Sequence, residues 1–146
     1  TLSERYKGYE DALHAHQIPV DKSLVFFEEG LGKTDLAHCY NAMNRILEKQ
    51  DFTAMLVISD WAAMAASNII QKKGRVPEDL SIIGFDNMAF TEYVTPKLST
   101  ISQNSETVGN IGMMMLLDQI EGKETANARV EGALLLRQSV GKLANR

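Results

Sequence analysis

The stretch Val76-Pro77-Glu78-Asp79-Leu80-Ser81-Ile82-Ile83-Gly84-Phe85-Asp86-Asn87 combines a turn signal, an apolar run and an acidic stop. Pro77 fixes its own φ and disfavours a helical Val76, so a preceding helix should end near Gly74. Residues 80–84 are branched, apolar or small, which is typical of a strand covered on both faces. Asp86 lies just past the carboxyl end of that strand, where open parallel α/β sheets bind ligands. The stretch therefore predicts a buried parallel strand that delivers an aspartate to a binding site.

The composition is that of a globular domain, with 146 residues, 45% of them hydrophobic and 23% charged. No apolar run approaches the roughly 20 residues that a membrane-spanning helix needs, and the start of the chain has no signal-peptide pattern. The formal net charge of −4 gives this segment no basic footprint for nucleic acid. Cys39 is the only cysteine and cannot form an internal disulfide, which fits a reducing cytoplasm.

Outside the opening stretch, apolar runs and helical periodicities alternate along the chain. Further strands are predicted at 24–27, 54–58, 98–102 and 133–136. Helices are predicted at 3–16, 36–50, 61–73 and 105–122, and the proposed N-caps of the first three are Ser3, Thr34 or Asp35, and Asp60. This alternation predicts βαβ crossovers and an α/β fold with a mainly parallel sheet flanked by helices.

Polar side chains follow several of the predicted strands. Glu28 and Glu29, then Ser59 and Asp60, then Asp86 stand at successive strand ends, and Gln103 follows the run at 98–102. The carboxyl ends of parallel strands meet at one edge of a sheet, so these side chains are expected to converge there. Polar residues also end many strands for solubility alone. Convergence favours the binding site over that simpler interpretation.

The sequence offers little that catalysis would require. The three histidines lack metal-ligand spacing, and the chain contains no G-x-S-x-G, Walker loop or G-x-G-x-x-G. Asp60 and Asp86 could form an acid and base pair, but no feature of the sequence pushes their pKa values apart. We therefore predict a binding protein without a metal or cofactor, and not an enzyme.

Two further residues have both a structural and a ligand-binding interpretation. Trp61, the only tryptophan, either stacks on a ligand ring or packs within the protein, with packing slightly favoured. Arg5 is either an exposed charge on a helix or a bidentate clamp on a polar ligand.

Five motifs occur in order along nearly the whole chain. They are Arg5-Tyr6-Lys7-Gly8-Tyr9 with Ala12-Leu13; Ala54-Met55-Leu56-Val57-Ile58-Ser59-Asp60 with Ala63-Met64-Ala65; the opening stretch with Gly74; Pro96-x-Leu98-Ser99-Thr100 with Gln103; and Leu136-Arg137-Gln138-Ser139. In order and spacing they resemble the LacI/GalR family of transcription regulators. The resemblance implies an effector domain with the type I periplasmic-binding-protein-like fold.

The resemblance also implies roles for individual residues. Arg5 and Asp86 match positions that hold the effector, and Asp60 and Gln103 match positions that line the same cleft. Ser59 stands where many members of the family have asparagine, and Thr34 falls near an aromatic position on the effector. Trp61 follows the family's [ND]-D pair on a helix that contributes to dimerisation. All seven are candidate ligand-binding residues.

On this resemblance, the chain is about the last half of such a regulator. Residues 1–98 and 130–140 would form the C-terminal subdomain, and residues 99–122 would cross to the N-terminal subdomain. The expected partners are a sugar or nucleobase-like effector, a second copy of the protein and operator DNA, the DNA being bound through a helix-turn-helix domain absent from this chain. The resemblance to these regulators also implies a cytoplasmic location. The alternatives are a periplasmic sugar-binding protein of a transport system and an α/β enzyme that acts through Asp60 and Asp86.

Overall fold

A computed structural model describes residues 2–28, 35–49 and 52–142. The elements in chain order are α1 (Leu2–Ala15), α2 (Leu36–Lys49), β1 (Ala54–Leu56), α3 (Asp60–Ile70), β2 (Ser81–Phe85), β3 (Ser99–Ser102), α4 (Ser105–Ile120) and β4 (Ala133–Leu135). Short 3₁₀ turns occupy Lys22–Leu24 and Ala89–Glu92.

The strands form a four-stranded sheet in the order β1-β2-β3-β4. β1 pairs parallel with β2, and β2 pairs parallel with β3, with Leu56 opposite Ile83 and Phe85 opposite Ile101. β4 closes the sheet antiparallel to β3. The predicted α/β fold with a mainly parallel sheet and flanking helices is confirmed, and the carboxyl ends of β1, β2 and β3 lie at the same edge.

The core lies where α3 packs against β2. The buried residues of α3 include four alanines, whose small side chains allow a close approach to the sheet: Ala62, Ala63, Ala65 and Ala66. Ile82 and Gly84 are the buried positions of β2. A β-carbon at Gly84 would lie 3.2 Å from the β-carbon of Ala63 and would also collide with the Asp60 carboxylate. Gly84 is therefore required by the close contact between α3 and β2.

The predicted strand at 24–27 is wrong. Residues Lys22–Leu24 form a 3₁₀ turn, because the side chain of Asp21 accepts a hydrogen bond from the backbone N–H of Ser23 at 2.9 Å. The backbone is extended at Val25, but residues 25–28 belong to no strand of the described part of the chain. Phe27 is 74% exposed. The apolar run favours a strand, but a local pattern does not specify a pairing partner.

The helix starts differ from prediction at two places. Ser3 lies inside α1, and α3 begins at Asp60, one residue earlier than expected. The N-cap of α3 is Ser59, whose hydroxyl accepts a hydrogen bond from the backbone N–H of Ala62 at 3.3 Å. Asp35 caps α2 by accepting a hydrogen bond from the N–H of His38 at 3.2 Å. This confirms Asp35, one of the two predicted N-caps of this helix. Thr34, the other alternative, lies outside the described residues.

Candidate ligand-binding site

The site is assembled at the edge where the parallel strands end. Ile58 follows β1, Asp86 follows β2 and Gln103 follows β3, while Arg5 reaches the same edge from α1. The structure therefore brings together three of the predicted site residues, Arg5, Asp86 and Gln103.

Arg5 connects α1 to the sheet through two contacts. Its Nη1 donates a hydrogen bond to the backbone carbonyl of Ile58 at 3.1 Å. Its Cζ lies 3.7 Å from the ring centroid of Phe85, in the geometry of a cation–π interaction. A guanidinium carries five N–H donors in a rigid fork, so a group held over a ring in this way can still donate to a polar ligand.

Asp86 is the acceptor of the site. Its Oδ1 accepts a hydrogen bond from Nε2 of Gln103 at 2.6 Å. Burial raises the pKa of Asp86, while the hydrogen bond from Gln103 and the positive charge of Arg5 act to lower it, and the charge of Asp60 raises it. A partly desolvated carboxylate with a neighbouring amide and guanidinium suits a ligand rich in hydroxyl or N–H groups.

Asp60 lies behind this edge and is fully buried. Its Oδ1 accepts a hydrogen bond from the hydroxyl of Thr100 at 2.6 Å, and its Oδ2 accepts one from the backbone N–H of Met88 at 2.7 Å. Both oxygens are thus engaged within the chain. A direct contact of Asp60 with ligand stays a prediction.

The remaining candidates lie near α3 or outside the described residues. Ser59 is buried as the N-cap of α3. Trp61 is half-buried, and its ring packs in a tilted arrangement against that of Phe90, with a centroid distance of 4.3 Å and 40° between the planes. This contact agrees with the packing interpretation. Ligand contacts of Ser59 and Trp61 stay predictions, and Thr34 is outside the described part of the chain.

Sequence reasoning missed the role of Phe85. The predicted strand at 80–84 stops short of Phe85, yet the ring of Phe85 is the surface beneath the guanidinium of Arg5. The available signal was the β2 alternation, which places Phe85 on the face opposite Gly84.

A groove of about 520 Å³ adjoins the Asp86–Gln103 pair. Phe85 and Gln103 contribute to it from the sheet, Ile111 and Met115 from α4, and Val130 from the segment before β4. In the described residues, no group of three or more His, Cys, Asp or Glu side chains could hold a metal ion. No helix among them is long and apolar enough to span a membrane.

The fold and the site define the class to which the chain belongs. Residues 2–140 match the family model described as a periplasmic binding protein-like domain, and the chain is a member of that family.

Relatives and solved structures give a closer likeness. The chain is 35% identical over 144 residues to a Bacillus subtilis (strain 168) protein named "Probable HTH-type transcriptional repressor ExuR", covering 96% of this chain and 42% of that protein. It superposes with a TM-score of 0.81 on a transcriptional regulator CelR in complex with cellobiose, at 30% identity, covering 94% of this chain and 42% of that one. It also superposes with a TM-score of 0.81 on a LacI family transcriptional regulator from Enterococcus faecium with bound ribose. The identity is 28%, and the match covers 96% of this chain and 52% of that one.

The resemblance to LacI-type regulators is thus confirmed. The chain spans about two fifths to one half of the length of the proteins it matches.

Proposed function

We propose that the chain is part of the effector-sensing and dimerisation region of a bacterial LacI/GalR-type transcriptional regulator that binds a small sugar or a similar metabolite. The observation that carries the proposal is the cluster of Arg5, Asp86 and Gln103 at the carboxyl ends of parallel strands. This is the edge at which open α/β sheets bind ligands.

The chemistry of the cluster suits a polyol or a nucleobase. A ligand hydroxyl or ring N–H could donate to Asp86, while a ligand oxygen could accept from Arg5 or Gln103. Charge-assisted hydrogen bonds of this kind are short and comparatively strong. The CelR–cellobiose and ribose-bound LacI-family structures support a sugar as the ligand class.

We further propose that the site has a second wall supplied by another subdomain. Residues 1–98 and 130–140 would form the subdomain described here, and residues 99–122 would cross into the other. Because β3 pairs within the described sheet, the part of 99–122 that would belong to the other subdomain is α4. In support, none of the side chains of α4, all of which the structure describes, is buried. Six of them are large, apolar and exposed: Val108, Met113, Met114, Leu116, Leu117 and Ile120.

The regulator is favoured over a periplasmic transport protein and over an enzyme. A relative named as an HTH-type repressor and two structures named as transcriptional regulators support this choice. The regulator would act in the cytoplasm as a homodimer and would bind operator DNA through a separate helix-turn-helix domain. Effector binding between subdomains would change operator affinity as a coupling between two sites.

A thermal-shift screen of the full-length protein tests this proposal. A ligand that binds only the native state raises Tm, so cellobiose, ribose, sugar phosphates and purines are compared with buffer. We expect at least one compound to raise Tm in the wild type but not in Arg5→Gln or Asp86→Ala. Shifts of equal size in these variants, or no shift with any compound, would contradict a small-molecule site at this edge.

A further inference from the structure

The turn that presents Asp86 is held at each of its three residues. We name Asp86, Asn87 and Met88 the Asp86 turn. The N–H of Asp86 donates to the carbonyl of Ile101 at 2.9 Å. The N–H of Asn87 donates to the hydroxyl of Thr100 at 3.2 Å, and the N–H of Met88 donates to Oδ2 of Asp60 at 2.7 Å. Every backbone donor of the turn is therefore engaged.

The turn needs such restraint because its backbone is unfavourable for residues with side chains. Asp86 has φ = 117° and Asn87 has φ = 54°, both in the left-handed half of conformational space. Asparagine tolerates this region better than most residues, whereas φ near 117° is uncommon for any residue other than glycine. Conformations of this kind persist only where the surroundings impose them, and they cluster at functional sites.

Asp60 restrains the turn from the side of α3. The carboxylate is fully buried, and its two oxygens connect α3 both to Met88 in the turn and to Thr100 in β3. The hydroxyl of Thr100 also accepts the bond from the N–H of Asn87. Asp60 and Thr100 thus form one connected support beneath the turn.

Arg137 restrains the turn from the side of β4. Its Nη2 donates to Oδ1 of Asn87 at 2.8 Å, and its side chain is only 12% exposed. The other bonds of the guanidinium reach the carbonyl of Leu98 at 2.7 Å, the hydroxyl of Thr91 at 3.0 Å and Glu92 at 3.0 Å. A rigid guanidinium fork anchored at these points cannot follow Asn87 if the turn changes shape.

We propose that Asp60 and Arg137 are positioning residues that fix the Asp86 turn, so that the carboxylate of Asp86 is held against Gln103 in a ligand-ready position. In this proposal both residues act through the turn. The inference rests on the proposed role of Asp86 in binding. Its structural part, the restraint of the turn, can be tested without any ligand.

Hydrogen exchange of the full-length protein tests the restraint directly. In Asp60→Ala, both acceptor oxygens are removed, so the bonds from the N–H of Met88 and from the hydroxyl of Thr100 are lost. In Asn87→Gly, the hydrogen bond from Arg137 to the Asn87 side chain is lost. Glycine adopts the positive φ of this position freely, so the change adds no backbone strain. We expect both variants to exchange the amides of residues 86–88 at least about tenfold faster, the factor that corresponds to losing one such bond. Amides within Ser81–Phe85 should be unchanged, and Asp79→Asn, at the opposite edge of the sheet, should leave residues 86–88 protected.

Two results would overturn the restraint. One is unchanged exchange at residues 86–88 in both variants. The other is acceleration that extends equally through Ser81–Phe85, since a general loss of stability would affect the strand as much as the turn. Arg137→Lys provides a second check on Arg137, because it keeps the charge and loses the fork. Like Asp60→Ala and Asn87→Gly, it should accelerate exchange at residues 86–88.

Binding of ribose and cellobiose to the full-length protein then separates positioning from general stability. Asp60→Ala and Asn87→Gly should each weaken sugar binding at least about tenfold in the otherwise wild-type protein. In an Asp86→Asn background the same changes should weaken it less than about twofold, because residues that act through one group are not additive. Equal losses in both backgrounds would show that the two residues do not act through Asp86. If neither sugar binds the wild type, the proposed sugar class fails, whereas the exchange measurement still decides the restraint.

Discussion

At the scale of single residues, Asp86 lies where partial burial disfavours the charged form of its carboxyl group. Burial, together with the charge of Asp60, raises the pKa of Asp86 more than Gln103 and Arg5 lower it. An aspartate whose folded pKa lies above its unfolded value binds more protons in the native state. Its contribution to stability is therefore greatest below the ordinary value of 3.8 and is lost as the pH rises through the folded pKa.

Replacement of Asp86 by asparagine should thus stabilise the protein at neutral pH. Asp86→Asn removes the buried charge, so its Tm should exceed that of the wild type at pH 7, and the difference should shrink as the pH falls toward 3.8. Thermal unfolding of both proteins across this range measures the effect. A lower Tm for Asp86→Asn at pH 7, with a gap that closes on acidification, would mean that the charged form is stabilised in the fold.

The sequence identified several site residues but not their partners. Arg5 and Asp86 were found because each stands at a recognisable place, a helix start and a strand end. The bond between Asp86 and Gln103 joins residues on different strands, and the stacking of Arg5 on Phe85 joins α1 to β2. Such contacts depend on how the elements meet, and no local pattern contains that information. For the same reason the sequence could not show that Asp60 is buried with both oxygens engaged.

At the scale of elements, the contact between α3 and β2 supports the site. The buried alanines of α3 lie close to Gly84, and Asp60 at the start of the same helix supports the Asp86 turn. A change that moves α3 away from β2 would therefore affect both the core and the turn.

Gly84→Ala is the most direct test of this contact. The added methyl group would lie 3.2 Å from the β-carbon of Ala63 and would also collide with the Asp60 carboxylate. We expect a loss of about 1–3 kcal/mol in the free energy of unfolding, typical of an overpacked core. Gly109→Ala on α4 is the matched control, because nothing lies within 4 Å of its added β-carbon. There, the higher helix propensity of alanine should leave stability unchanged or raise it by up to about 1 kcal/mol. Equal effects of the two changes, by chemical denaturation, would refute the close contact.

Strand prediction succeeded where an apolar run pairs with a neighbouring strand. Residues 54–58, 80–84, 98–102 and 133–136 were placed within one or two residues of β1 to β4. Residues 24–27 are apolar as well, but Leu24 belongs to an aspartate-capped 3₁₀ turn and residues 25–27 pair with no strand of the described part of the chain. The pattern of apolar residues indicates burial and β-propensity, whereas a strand also requires a neighbouring strand at hydrogen-bonding distance.

At the scale of the whole molecule, α4 lies apart from the core. Its exposed side chains include Met114 and Leu117, and no residue of this helix is buried. A patch of this kind marks an interaction surface. In our proposal this surface packs against the other subdomain of the full-length protein.

Charged substitutions on α4 should have opposite effects in two contexts. In the isolated chain of 146 residues, Leu117→Glu should reduce self-association, because it breaks an exposed apolar surface. In the full-length protein the same change should lower Tm, because the charge would be buried without a partner. Asn110→Glu, at an exposed polar position of α4, should do neither. Sedimentation and thermal unfolding provide the two readouts, and an unchanged Tm for full-length Leu117→Glu would argue against a covered helix.

The central claim is that Asp86 holds the ligand at the edge where the parallel strands end. Calorimetric titration of the full-length protein with the compound that gives the largest Tm shift tests it most directly, in the wild type, Asp86→Ala and Asp79→Ala. We predict that Asp86→Ala raises Kd by about one to two orders of magnitude, the cost of losing a hydrogen bond to a charged group, and that Asp79→Ala leaves Kd unchanged. A Kd that is the same in all three proteins would contradict the account.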